Sequence, residues 1–218
     1  ATLFGRDGAR GTWVHRWTAE EGRHGIAIRD YLTVSRAVDP VELERARMEH
    51  MEAGYNNAHG DEILHSIAYV AFQELATRIS HRNTGKATGD AVAEQLLARV
   101  AADENLHMVF YRNLLSAAFD LDPNNAMRAV TDVVANFQMP GANIEGFGRK
   151  ALSIALAGIY DLRQHRDEVL APVLRQWDVW DRTDVGAEGE KAREELAAHM
   201  TELETQAARF EEKRDARR

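Results

Sequence analysis

Apolar residues recur at helical spacing along most of the chain, with polar residues between them. Two apolar stripes are especially regular: Val14, Trp17, Ile28 and Leu32, and Leu97, Val100, Tyr111 and Leu115. This periodicity predicts eight helices, over residues of about 12–36, 40–54, 61–81, 90–119, 123–137, 144–159, 167–177 and 190–214.

The helix boundaries are predicted from capping residues. Asp39 and Asp122 each precede a proline, which is an N-cap followed by proline at the first helical position. Asp61 is predicted to cap the third helix, and the Asn83-Thr84-Gly85 segment to end it. Residues 151–159 read as a buried run, and residues 181–189 as a loop.

Composition narrows the class of protein. The chain has 218 residues, 44% of them hydrophobic and 28% charged, and only four prolines, which favours one all-α domain over residues 1–218. Its net charge of −8 argues against nucleic acid as a partner. Cysteine is absent, so Glu and His remain as metal ligands. No apolar run approaches the ~20 residues of a membrane span, and we expect a cytoplasmic protein.

Glu104 and His107 are three residues apart in the middle of the second apolar stripe. On a helix they lie about 60° apart, on the same side. A carboxylate and an imidazole removed from water there are costly unless a charged group satisfies them. A metal ion would satisfy both side chains at once.

Glu21 and His24 repeat this arrangement on the first apolar stripe. The adjacent Glu20 is rotated by about 100° and is predicted to face solvent. A third pair, Glu62 and His65, follows the predicted cap Asp61 and is interpreted as a capping and surface pair.

Glu74 lies on the apolar face of the third helix, and it extends the set. Taken alone it could be a buried carboxylate paired with Arg78. Taken with the two Glu-x-x-His helices it fits the ferritin-like di-iron arrangement, in which two helices each supply one Glu and two supply Glu-x-x-His. We therefore predict a ferritin-like helical bundle with additional C-terminal helices.

These motifs together resemble the soluble acyl-[acyl carrier protein] desaturases. The matching segments are Arg16-Trp17-Thr18-Ala19-Glu20-Glu21-Gly22-Arg23-His24-Gly25, Phe72-Gln73-Glu74-Leu75-Ala76-Thr77, Ser80-His81-Arg82-Asn83-Thr84 and Ala102-Asp103-Glu104-Asn105-Leu106-His107. The family's first Glu ligand lies on a helix before these segments, and residues 1–11 contain no Glu. The sequence thus resembles the family without its first helices, with five of the six protein ligands. We therefore expect residues 1–218 alone to bind iron weakly or not at all. Because the family's first helices are not among residues 1–218, a plastid transit peptide stays an open alternative to the cytoplasmic location.

The resemblance implies an activity. Two iron ions would be bridged by Glu21 and Glu104, with Glu74, His24 and His107 as terminal ligands. The reaction would use dioxygen and two electrons from ferredoxin to introduce a cis double bond into a saturated acyl chain carried by acyl carrier protein. The family also implies a homodimer.

Several residues keep two interpretations. By resemblance, Asp103 would hydrogen-bond a ligating histidine and Thr77 would lie beside the dioxygen site; otherwise Asp103 is a surface residue and Thr77 bonds the Gln73 carbonyl. Trp17 and Phe72 would line an acyl tunnel, or are core residues.

Arg78, Arg82 and Lys86 cluster at the predicted end of the third helix. Two interpretations are open for them as well. They would either compensate the helix dipole or contact the acidic carrier protein.

Two rival functions stay open. One is a ferritin-like iron-oxidising protein without an acyl tunnel. The other is a metal-free helical homologue that binds acyl carrier protein, which the absent sixth ligand would favour.

Overall fold

The computed structural model describes residues 7–54 and 62–216, which form helices and turns without a strand. The all-α prediction is therefore confirmed for this part of the chain. The helices are α1 Gly8–Val34, α2 Pro40–Ala53, α3 Ile63–Thr88, α4 Ala91–Leu121, α5 Pro123–Ala135, α6 Phe147–Leu156, α7 Leu162–Gln164, a π-helical turn His165–Leu170, α8 Ala171–Gln176 and α9 Ala187–Asp215.

The centre of the fold is the pair α3 and α4. Only Gly89 and Asp90 connect them, and so short a connection makes the two helices antiparallel neighbours. Helix α1 lies along α4, and α5 packs against α3, α4 and α9. The largest fully buried apolar side chains are Phe72, Leu115, Phe119, Met127, Leu170, Leu174, Trp177 and Leu196. Among the described helices, none is both long and apolar enough to cross a membrane.

Two of the predicted caps are formed as expected. Asp39 accepts hydrogen bonds from the backbone N–H groups of Val41 and Glu42, and Pro40 occupies the first helical position. Asp122 accepts one from Asn125 N, ahead of Pro123. The predicted cap Asp61 lies outside the described residues.

Helix α3 does not end at Asn83-Thr84-Gly85, and that prediction was wrong. It continues to Thr88 and ends at Gly89, whose φ of +67° is the left-handed conformation that glycine tolerates best. Gly85 is instead buried inside the helix, at its closest approach to α4. A Cβ on Gly85 would lie 3.0 Å from Glu94 Cα and 3.4 Å from Leu97 Cβ. This glycine therefore serves helix packing and does not terminate the helix.

Gly85→Ala is expected to destabilise the protein by about 1–2 kcal/mol, because the added methyl group pushes against the α4 backbone. Gly25→Ala is the matched control, since Gly25 lies inside α1 and a methyl group added there would meet nothing within 4 Å. We expect Gly25→Ala to stabilise by ~0.5–1 kcal/mol through helix propensity. Urea unfolding measures both; stabilisation by both variants would contradict the packing role of Gly85.

Three predictions for the C-terminal part of the chain differ from the structure. The helical segment predicted to begin at residue 167 begins at Leu162, because Asp161 and Gln164 form a reciprocal capping box. Helix α9 begins at Ala187 rather than at residue 190. Residues 151–159 were predicted to be buried, but α6 ends at Leu156 and Leu152 and Ile154 are 46% and 43% exposed. The apolar run there is one face of a surface helix.

Candidate metal centre

Helices α1, α3 and α4 bring four of the five predicted ligands into one cluster. Single ligand atoms of Glu21, Glu74, Glu104 and His107 all lie within 4.8 Å of one another. Around His107 Nδ1, the nearest oxygens of Glu21, Glu74 and Glu104 are at 3.1, 3.4 and 3.5 Å. The 3-residue spacing of Glu104 and His107 places both on the α4 face that α1 and α3 cover.

His24, the fifth predicted ligand, borders this group. Its Nδ1 lies 3.4 Å from Glu104 Oε1 and 3.8 Å from Glu21 Oε2. The ring is 6% exposed, although α1 as a whole is largely exposed. All five residues predicted from the sequence therefore lie at one place in the fold.

The cluster contains buried polar atoms without hydrogen-bond partners. They are Glu21 Oε1, His24 Nδ1, Glu74 Oε2, Glu104 Oε2 and His107 Nδ1. Unsatisfied buried groups are rare because each costs about 1–3 kcal/mol. These five atoms belong to the five predicted ligands, and carboxylate oxygen and imidazole nitrogen together suit iron. The residues present therefore fit a metal ion.

Burial and close contact also shift the pKa values of the residues in the cluster. Burial opposes the charge on His107, but the nearby carboxylates of Glu104, Glu21 and Glu74 outweigh burial and raise the pKa of His107 to about 12. Burial, together with Glu104, raises the pKa of Glu74 to about 8. For Glu104, burial would raise the pKa, but His107, His24 and His81 lower it well below its usual range. A divalent cation bound here would compete with protons for the same oxygen and nitrogen atoms.

Asp103 lies on the outer side of His24. Its Oδ2 is 3.2 Å from His24 Nε2, and Arg23 Nη2 donates to the same oxygen at 3.0 Å. Because Nε2 faces Asp103, Nδ1 of His24 is left facing the cluster. A carboxylate in this position fixes the tautomer and direction of a ligating histidine.

Glu20 was predicted to face solvent, and that prediction was wrong. Its side chain is 12% exposed, and Oε2 lies 2.9 Å from His107 Nε2. Consecutive carboxylates of α1 thus flank one imidazole, with Glu20 at Nε2 and Glu21 at Nδ1. The part of α1 that faces α4 is wider than its apolar stripe indicated, because the His107 imidazole of α4 provides a polar partner for Glu20. Arg16 Nε donates to Glu20 Oε1 at 3.0 Å from the surface side.

His81 is a second residue that the sequence did not place in the site. Its Nε2 lies 3.6 Å from Glu104 Oε1. His81 follows Glu74 by seven residues, about two helical turns, so both lie on the same face of α3. This shared face is the only sign of the contact in the sequence. The short distance from His81 to Glu104 depends on how α3 packs against α4.

Glu74 is held by Trp17 rather than by Arg78. Trp17 Nε1 donates to Glu74 Oε1 at 3.1 Å across the α1–α3 interface. The Thr77 hydroxyl lies 3.2 Å from the Gln73 carbonyl and 3.0 Å from the Glu74 carbonyl, to which it donates. A role for Thr77 beside a dioxygen site stays a prediction. Phe72 is a core residue that packs edge-to-face on Trp177, at 5.3 Å between ring centroids.

The Glu62–His65 pair lies outside the cluster, as expected, but the Glu62 side chain makes no capping hydrogen bond, so the capping interpretation was wrong. His65 Nδ1 is 2.7 Å from Glu62 Oε2, and its Nε2 is 3.1 Å from Asp132 Oδ2. Neither Glu62 nor His65 belongs to the four-residue ligand group. The pair therefore links the beginning of α3 to α5.

A cavity of about 650 Å³ adjoins the cluster. Trp17 lines the cavity and also bonds Glu74, and Gln73 lines it next to Glu74 in sequence. The lining is mostly apolar and comprises Trp17, His50, Met51, Gly54, Ser66, Tyr69, Val70, Gln73, Pro140 and Gly141. The volume lies within the 300–1,000 Å³ typical of small-molecule sites.

The chain is similar to known desaturases. A family model described as fatty acid desaturase matches residues 4–218. DesA1 of Mycobacterium tuberculosis, provisionally named an acyl-[acyl-carrier-protein] desaturase, is 54% identical over 218 residues, covering 97% of this chain and 64% of DesA1. The chloroplastic stearoyl-[acyl-carrier-protein] 9-desaturase of Gossypium hirsutum is 29% identical over 211 residues, covering 92% of this chain and 53% of that protein. The chain thus spans 53–64% of the length of these two relatives.

A solved structure is similar as well. The X-ray structure of DesA2 from Mycobacterium tuberculosis H37Rv, provisionally titled an acyl-ACP desaturase, superposes with a TM-score of 0.67 at 30% identity. The match covers 79% of this chain and 66% of the DesA2 chain. The ferritin-like helical fold predicted from the Glu and Glu-x-x-His pattern is thereby confirmed.

Proposed function

The chain belongs to the fatty acid desaturase family, and from that membership we propose that it forms the di-iron centre of an acyl-[acyl carrier protein] desaturase. The observation that carries the proposal is the group of Glu21, Glu74, Glu104 and His107, whose unsatisfied atoms face one another beside an apolar cavity. Residues 1–218 supply five ligands, and the family resemblance assigns the sixth to a preceding helix.

The ligand roles follow the resemblance. Glu21, Glu74, Glu104, His107 and His24 would hold the iron ions. When bound and reduced, iron supplies the dioxygen chemistry by which a saturated carbon–carbon bond loses two hydrogens. The balanced change is one CH₂–CH₂ unit, one O₂, two electrons and two protons giving one CH=CH unit and two H₂O.

The protein's own groups prepare the site for this chemistry. Asp103 and Glu20 accept the outer N–H groups of His24 and His107, so each ring keeps Nδ1 for the inner side. Trp17 holds Oε1 of Glu74, which leaves Oε2 facing His107. Positioned groups of this kind need little rearrangement when a ligand binds.

The acyl chain would occupy the 650 Å³ cavity. Its mostly apolar lining favours methylene groups, because burying them removes apolar surface from water. Trp17 and Gln73 lie at the cavity wall next to Glu74, so a chain in the cavity would pass the cluster. Trp17 would thus act as both a tunnel wall and a carboxylate partner.

The rival ferritin-like iron oxidation uses the same cluster but no acyl cavity. Helices α5 and α9 pack together and continue the bundle beyond the ligand helices. The cavity beside Trp17 has no use in iron storage. We therefore favour desaturation. Ferredoxin as electron donor, the homodimer and the cytoplasmic location stay predictions.

The test uses the full-length protein with ferrous iron, reduced ferredoxin, dioxygen and stearoyl-[acyl carrier protein]. We expect a monounsaturated product by mass spectrometry of the released fatty acids, and none with Glu104→Ala. Acyl carriers of shorter chain length are assayed in parallel. Absence of unsaturated product at every length, or a cage-sized particle that accumulates many irons per chain, would overturn the proposal.

A further inference from the structure

Trp17 belongs both to the wall of the apolar cavity and to the metal cluster. Its side chain lines the cavity, and its Nε1 donates to Glu74 Oε1 at 3.1 Å. Glu74 is 1% exposed, and a hydrogen bond removed from water is electrostatically stronger than one in water. One rigid side chain therefore connects the place proposed for the acyl chain to a candidate iron ligand.

The hydrogen bond from Trp17 determines which oxygen of Glu74 faces the cluster. With Oε1 held by the indole, Oε2 lies 3.4 Å from His107 Nδ1 and has no hydrogen-bond partner. The terminal torsion of a glutamate is a broad, roughly two-fold rotor, so a carboxylate that is not held samples other orientations. Trp17 thus keeps Oε2 available for a cation.

The indole ring of Trp17 is packed on the side of the cluster and lies open to the cavity. It meets Tyr111 edge-to-face at 5.4 Å and His107 at 6.4 Å between ring centroids. The residue as a whole is only half-buried, and it borders the cavity of about 650 Å³. The orientation of the ring therefore depends in part on what fills this cavity.

An acyl chain in the cavity would complete the packing around the indole. Methylene groups against the ring remove apolar surface from water and favour the orientation that is already in contact with Tyr111. In that orientation Nε1 holds Glu74. A ligand that populates the binding-competent orientation of a shared residue removes that cost for a second ligand, which is positive cooperativity.

We propose that Trp17 is a positioning residue that couples binding of the acyl chain to binding of the metal, by holding Glu74 only when its own ring is packed. The inference rests on the proposed function, which places the acyl chain in this cavity. Because coupling between two binding sites is reciprocal, the acyl chain raises the affinity for iron by the same factor by which iron raises the affinity for the acyl chain.

The experiment measures binding of stearoyl-[acyl carrier protein] to the full-length protein by fluorescence anisotropy, first without metal and then with ferrous iron under anaerobic conditions. The ratio of the two dissociation constants is the coupling factor. Titration of iron with and without stearoyl-[acyl carrier protein] measures the same factor from the other side. Without dioxygen no turnover occurs, so the readout is binding alone.

Trp17→Phe is the test variant, because phenylalanine keeps an aromatic ring at the cavity wall and removes the Nε1 donor. Trp13→Phe is the matched control. Trp13 lies about one turn earlier on α1 with its ring centroid 6.0 Å from that of His107, but its Nε1 has no hydrogen-bond partner and it lines a separate, smaller pocket. Val70→Ala changes the cavity wall and leaves the bond to Glu74 in place. Circular dichroism verifies that each variant folds.

We expect a coupling factor of ~5-fold or more in the wild type, and one within ~2-fold of unity in Trp17→Phe. Trp13→Phe is expected to keep the wild-type factor. Val70→Ala is expected to weaken acyl binding equally with and without iron, so its factor also stays at the wild-type value. Carrier protein without an acyl chain is measured in parallel and is expected to give a factor of one.

Several results would overturn the role of Trp17 and leave the desaturase proposal standing. They are a wild-type factor of one or below, an unchanged factor in Trp17→Phe, an equal loss in Trp13→Phe, and equal coupling with the carrier protein that has no acyl chain. Absence of stearoyl-[acyl carrier protein] binding by the wild type, with and without iron, would overturn the carrier-bound substrate and the proposed function with it.

Discussion

Replacing Glu74 with glutamine is expected to weaken iron binding while making the metal-free protein more stable. Glutamine keeps an acceptor oxygen for Trp17 Nε1 but removes the buried negative charge. Loss of one carboxylate ligand is expected to lower iron affinity by ~100-fold or more, since even an outer partner of a ligand is worth 10–100-fold. The same residue that serves the metal therefore costs stability in its absence.

The pH dependence of this effect follows from the pKa of Glu74. Burial and Glu104 raise it from 4.5 to about 8 in the folded protein. Between those values the folded state retains a proton that the unfolded state has lost, so the wild type loses stability as pH rises from about 4.5 to 8. Glu74→Gln does not titrate, and its advantage is expected to grow across this window to roughly 1–3 kcal/mol at pH 7.

Urea unfolding of metal-free protein at pH 5, 7 and 8, with iron titration at pH 7, measures both effects. Glu212→Gln is the matched control, because Glu212 is exposed on α9 and outside the cluster. A metal-free Glu74→Gln protein that is less stable than wild type at pH 8 would show that Glu74 contributes favourable contacts as a carboxylate. Wild-type iron affinity in that variant would remove Glu74 from the ligand set.

Trp177→Ala is expected to cost about 3–5 kcal/mol of unfolding free energy, the usual loss for a large core aromatic. Trp177 is 1% exposed, and its Nε1 donates to the Arg112 carbonyl at 2.9 Å. It packs against Phe72 and Phe119 from α3 and α4. Truncation therefore leaves a cavity at the junction of three segments, whereas the Arg112 carbonyl keeps the Ser116 hydroxyl as a hydrogen-bond donor at 3.2 Å.

Trp180→Ala is the control for this substitution. Trp180 lies three residues away and is 40% exposed, so its removal is expected to change stability by less than ~1 kcal/mol. Thermal unfolding with a midpoint lowered by about 10 °C for Trp177→Ala alone would agree with the core role. Similar losses for both tryptophans would contradict it.

The candidate ligands could be found from the sequence because each lies on an apolar helical stripe. Glu21, Glu74 and Glu104 interrupt faces that are otherwise apolar, and a charge at such a position requires a partner. This argument needs only the helical period. It identifies which residues turn inward on each helix, and the three helices then place them together.

Contacts between helices were not available from the same reasoning. Glu20 reaches His107 because α4 is polar where α1 crosses it, and the apolar stripe of α1 alone gave no sign of this. Gly85 reads as a helix stop in sequence, whereas its small size allows α3 to approach Glu94 of α4. The Asp161–Gln164 capping box was recognisable from its spacing, and it was missed because the apolar run begins later.

Helix α1 carries two of the proposed ligands yet buries only Gly11 and His24. Its links to the neighbouring helices include charged or polar bonds from Trp17, Glu20 and Arg23. Segments with few buried apolar contacts open locally before the rest of a protein. Bound iron would join α1 to α3 and α4 directly, so occupancy of the centre and protection of α1 from hydrogen exchange are thermodynamically linked. The ion would then stabilise the fold as well as take part in the reaction. Its loss would first open α1, which is the helix that must close again when another ion binds.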